Sequence, residues 1–184
     1  MSMLTLRLTK GRDARDVLTF VREDGTRTWG RLTPESGPVR DLSRYVVEST
    51  LALRNGVLGL IAGGWDVAAF EGHDAAARLP QEALWAEAVA GLLSLEATQG
   101  DMLAVDEFNA AVAESTSRAR PGYRPTISAA ELGDMRCALT RLRRRWDALP
   151  LCATMQLEFS PDCGLPVFDV AEFGEREVLR RVRT

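Results

Sequence analysis

The sequence predicts an α+β fold, a small antiparallel sheet packed against a layer of four to five helices. Three observations carry this. Two alternating segments near the N-terminus flank an Asp-Gly turn. Four stretches between residues 38 and 149 repeat their apolar residues at helical spacing. A last alternating segment, ATMQLEF at 153–159, follows the helices and has the period of a strand that rejoins the first two.

Leu4, Leu6 and Leu8 alternate with Thr5 and Arg7, as in a strand with one buried face. VLTFVR (17–22) and TRTWGRL (26–32) lie on either side of Glu23-Asp24-Gly25. Read as a two-residue turn with positive φ at both positions, Asp24-Gly25 sets Phe20 opposite Trp29. Pro38 suits a first helical turn, because its missing N–H has no partner there. Val39, Leu42, Val46, Ser49 and Leu53 then follow helical spacing to a stop at Asn55-Gly56. Val57 to Ala62 reads as a second short helix that ends at Gly63-Gly64. A helix over 80–98 places Leu84, Ala88, Leu92 and Leu95 on one stripe, and one over 102–116 is capped by Asp101. Ser128 and Glu131 form a capping box for a helix over 129–149. Its Leu132, Met135, Leu139, Leu142, Trp146 and Leu149 make one narrow seam, fit for a neighbouring helix or a two-fold partner. Residues 1–160 are expected to form a single domain. Residues 161–184 read as an extension, either a hairpin around Gly174 or a short helix.

Charge is segregated along the chain. Residues 1–60 carry ten basic and seven acidic side chains, net +3, whereas 61–117 carry one and ten, net −9. Residues 118–149 return to net +5, and the whole chain stands at −3. So small a total gives no field to draw in nucleic acid or an acidic membrane. The alternating blocks are expected to pair inside the molecule. The three cysteines, Cys137, Cys152 and Cys163, have no metal-type spacing and read as reduced thiols of a cytoplasmic protein. The N-terminus has no signal-peptide core, and the longest apolar run, Val57 to Trp65, is far too short to span a bilayer.

Several chemistries find no assembled residues. One histidine, His73, rules out His-rich zinc or di-iron sites within one subunit, and no metal or other cofactor is expected. A carboxylate site from Glu96, Asp101, Asp106 and Glu107 reads instead as a solvated acidic face. Cys163 and His73 are a conceivable nucleophile and base from two loops. No glycine-rich phosphate loop is present. The cluster Arg141, Arg143, Arg144 and Arg145 lies on the flanks and outer face of the 129–149 helix. It reads as a solvated or internally paired face, with a protein partner or a phosphate backbone as alternatives.

Asp41, Leu42, Tyr45, Val47 and Glu48, the apolar Gly56 to Trp65, and Trp146, Leu149 and Pro150 before the 153–159 strand recur in one layout. This layout resembles a family of uncharacterised bacterial proteins with a His-Asp-Leu-x-His-Tyr/Phe-x-Val-Glu pattern. The resemblance covers about residues 4–66 and 139–159, and it implies the strand pair before that helix but no established activity. Both family histidines are arginines here, Arg40 and Arg44. Arginine stays protonated and makes a poor base or metal ligand. Residues 40, 44 and 48 share a helix face, so Arg40, Asp41, Arg44 and Glu48 offer either an anion grip or pairing of Asp41 with Arg44 and of Arg44 with Glu48.

The leading functional expectation is a non-enzymatic domain that binds a protein partner or itself. The alternatives are a small-anion or nucleotide binder, possibly an enzyme, using Arg40, Asp41, Arg44 and Glu48, and a nucleic-acid binder using Arg141 to Arg145. No membrane association is expected.

Overall fold

A computed structural model describes residues 3–12, 16–32, 38–71, 74–117 and 125–164. Four strands, β1 (Leu4–Thr9), β2 (Val17–Arg22), β3 (Arg27–Arg31) and β4 (Thr154–Phe159), form one antiparallel sheet in the order β3-β2-β1-β4. The helices are α1 (Val39–Thr50), α2 (Val57–Ala62), α3 (Ala75–Arg78), α4 (Gln81–Gln99), α5 (Val105–Ser117) and α6 (Ala129–Asp147), with a 3₁₀ turn at Val67–Phe70. The fold is α+β, as the sequence predicts.

Alternation decides which sheet face is covered. Leu4, Leu6, Leu8, Leu18, Phe20, Met155, Leu157 and Phe159 all point to the helical side and are buried. Against them lies α1, with Leu42, Tyr45, Val46 and Val47 fully buried. The Tyr45 hydroxyl donates to the Glu158 carbonyl at 3.0 Å and so ties the helix to β4. α4 and α6 pack on either flank of α1, and buried residues from all these elements form one core. The seam of α6 is buried inside this chain, and the Ser128–Glu131 capping box starts that helix as expected.

Four local expectations are corrected. The hairpin pairs Phe20 with Thr28 and Thr19 with Trp29, one residue off the two-residue turn. Asp24 accepts from the Thr26 amide and hydroxyl, Gly25 takes φ +82°, and the Arg22 and Thr26 backbones close a three-residue loop. A one-residue shift reverses the strand, so Trp29 faces outward and is 60% exposed. α1 stops five residues before Asn55-Gly56. Ala52, at φ +50°, donates to Ser49 O and Leu53 donates to Glu48 O, which is a Schellman ending without the usual glycine. In α4 the buried positions are Ala83, Ala86, Val89, Ala90 and Leu93, while Leu95 is exposed. That helix packs on both α1 and α5, so no single stripe describes it. Asp101 does not cap α5, where Glu107 accepts from the Ala104 amide instead. The predicted extension beyond Gly164 lies outside the described residues.

Candidate ligand pocket

The site grows from the exposed flank of α1. Arg44 lies between two carboxylates. Its Nη1 donates to Asp41 Oδ1 at 2.6 Å, and its Nε and Nη2 donate to the two oxygens of Glu87 at 2.5 and 3.0 Å. The second contact is a bidentate fork from α1 to α4. Arg40 Nη2 donates to the same carboxylate at 3.0 Å. Two guanidiniums and two carboxylates therefore form a closed, neutral cluster. It is half-buried rather than the surface pairing the helix spacing suggests.

Each member's ionisation follows from its surroundings. Burial disfavours charge on Arg44, but Glu87 and Asp41 outweigh it and hold the guanidinium protonated. Burial likewise opposes charge on Glu87, yet Arg44 and then Arg40 hold its carboxyl below the ordinary value. Asp41 goes the other way. Burial raises it, with the Glu87 charge adding, against the pull of Arg44.

Glu48 does not join this cluster. It is wholly buried, and its carboxyl accepts from the Leu58 amide at 2.9 Å and the Gly59 amide at 3.3 Å. It thereby satisfies free N–H groups in the first turn of α2, where no side chain of that helix caps. Burial pushes the carboxyl up to about 8, against those two amides and Arg44. Gly56 makes the arrangement possible, since a Cβ there would come 2.3 Å from the Glu48 carboxyl carbon.

Above Asp41, Arg44 and Glu87 opens a pocket of about 240 Å³ between the sheet and α1, α2 and α4. Leu18, Phe20, Val57, Ile61, Val67 and Phe70 wall it, and Glu71 stands among the lining residues. Apolar walls with a few convergent polar groups on one side are the usual make-up of a small-molecule site. Arg40 and Glu87 also border a second, shallower groove of about 430 Å³ between α4 and α5.

Of the residues singled out in the sequence, the structure brings Arg40, Asp41 and Arg44 together and separates Glu48 from them. Glu87 was missed. Its only sequence signal was its place in the acidic block, opposite a basic helix. The expected pairing of blocks is present in Arg22–Asp66, Arg40–Glu87, Arg44–Glu87 and Arg136–Glu96. The Arg141 to Arg145 cluster is divided. Arg143 Nη1 donates to the Ala97 carbonyl near the end of α4, Arg145 is half-buried, and Arg141 and Arg144 are exposed. Glu96 is held by Arg136 and the Leu103 amide, which removes it from the acidic face. Among the described residues no group of three His, Cys, Asp or Glu is placed to hold a metal. Cys163 is exposed, and His73 lies outside the described residues. In comparisons with protein-family models, curated proteins and solved structures, the chain matches none.

Proposed function

We propose that this chain binds a compact small molecule in the pocket above Asp41, Arg44 and Glu87. The ligand has an apolar body and a cationic or hydrogen-bond-donating head. The observation that carries the reading is the charged floor beneath apolar walls. Arg44 already has three donor contacts to carboxylates, which weakens the case for an anion. Asp41 and Glu87 retain acceptor capacity, which suits an amine. At about 240 Å³ the pocket falls below the roughly 300–1,000 Å³ of drug-sized sites, so the ligand is small.

Thermal unfolding in benzylamine and, separately, in benzoate tests this. Benzylamine is expected to raise Tm by mass action, and Asp41→Asn to abolish the rise. An equal rise in both proteins, or stabilisation by benzoate instead, refutes the reading.

A second reading, association with a protein or a second copy, is favoured by the α4–α5 groove. Leu84, Ala88, Leu92 and the 47%-exposed Leu95 form a half-covered apolar strip there. Light scattering of wild type and Leu95→Glu tests it, and a monomer in both argues against self-association. No described helix is long and apolar enough to cross a membrane. The three free, exposed cysteines suit a reducing compartment, and we place the protein in the cytoplasm on that basis.

A further inference from the structure

The sheet has a second face, away from every helix contact described above. Alternation puts Arg27, Trp29 and Arg31 of β3 on it, about 7 Å apart along the strand. The register continues the rows across the sheet. Trp29 lies beside Thr19, which lies beside Arg7, which lies beside Gln156. Arg27 lies beside Val21, then Thr5, then Glu158. The face thus carries three guanidiniums and one carboxylate, and Glu158 stands at the edge farthest from β3.

This positive face belongs to a chain of net charge −3. The other arginines described above are engaged. Arg22, Arg40, Arg44, Arg54 and Arg136 pair with carboxylates, and Arg143 holds a carbonyl. Arg7, Arg27 and Arg31 make no ion pair among the described residues. Trp29 is 60% exposed, whereas Trp85 and Trp146 are buried. An exposed indole between two guanidiniums offers a planar surface flanked by cations.

We infer that the outer face of the sheet binds single-stranded nucleic acid, with Trp29 stacking on a base and Arg7, Arg27 and Arg31 meeting phosphates. Open sheet faces with aromatic platforms and basic flanks take single strands in this way, with stacking tolerant of sequence. An acidic protein segment would match the charge but would leave the indole without a flat partner. The site is separate from the pocket and from the Arg141 to Arg145 cluster.

The test is titration of the full chain with a deoxythymidine oligomer about 16 nucleotides long, at low salt. Tryptophan fluorescence, to which Trp29 is the exposed contributor, should be quenched. The logarithm of affinity should fall against the logarithm of salt with a slope of about −2, for three phosphates on a single strand. Trp29→Ala should weaken binding by roughly 5- to 100-fold, and Trp29→Phe should restore most of it. Arg27→Ala should reduce the slope by about 0.7. Circular dichroism confirms that each variant is folded. Binding that ignores Trp29 and Arg27, or no binding at low salt, overturns the inference. A wild-type dimer that Trp29→Ala dissociates, with no oligomer bound, overturns it in favour of a second copy on this face.

Discussion

Glu48 gives the most direct test of the physical account. Its folded value of about 8 stands well above the ordinary 4.5, with burial as the cause. The unfolded chain therefore releases this proton first as pH rises. Stability from the group is complete below about pH 4.5 and is lost as pH climbs through about 8. At about 1.4 kcal/mol per pH unit, the full loss is on the order of 5 kcal/mol. The perturbation is Glu48→Gln, which keeps the shape and an acceptor for the Leu58 and Gly59 amides but cannot ionise. Urea unfolding of both proteins from pH 5 to pH 9 is the assay. Wild type is expected to lose several kcal/mol relative to the glutamine variant across that range. If the difference stays flat, or if wild type gains on the variant as pH rises, the carboxylate is ionised in the fold. The two amides and Arg44 then outweigh burial, and the reasoning fails.

Three further outcomes follow from the same geometry. Gly56→Ala drives a Cβ into the Glu48 carboxyl and should cost about 1–3 kcal/mol, and Glu48→Ala in the same chain should recover part of it in a double-mutant cycle. Glu87→Gln removes the charge that holds Arg44 and Arg40 and should cost about 3 kcal/mol in denaturant unfolding, more than Arg40→Gln alone, since Arg40 is more exposed. Ala52→Gly relieves a left-handed residue at the end of α1 and should raise stability by about 1 kcal/mol, read as a higher urea midpoint at unchanged slope.

The sequence alone determined the fold class, the four strands and the main helices, because each rests on local signals. The capping box at Ser128 and the alternation of Leu4, Leu6 and Leu8 specify their elements without help from distant residues. Turn length was less legible. The acceptor bonds of Asp24 and the left-handed Gly25 lengthened the loop by one residue and so turned Trp29 outward. The lie of α4 was hidden because a helix packed on two sides shows no single apolar stripe.

Only the tertiary structure decided the site. Helical spacing placed Arg40, Arg44 and Glu48 on one face, but it could not say which of them would meet water. Docking of α2 turned Glu48 into the core, where the free amides of that helix needed an acceptor. Docking of α4 brought Glu87 to Arg40 and Arg44 from more than forty residues away. Charge patterning foretold that acidic and basic blocks would meet. The identity of the partners depended on which helix faces the core had already claimed, and hydrophobic packing fixes that before any ion pair can form.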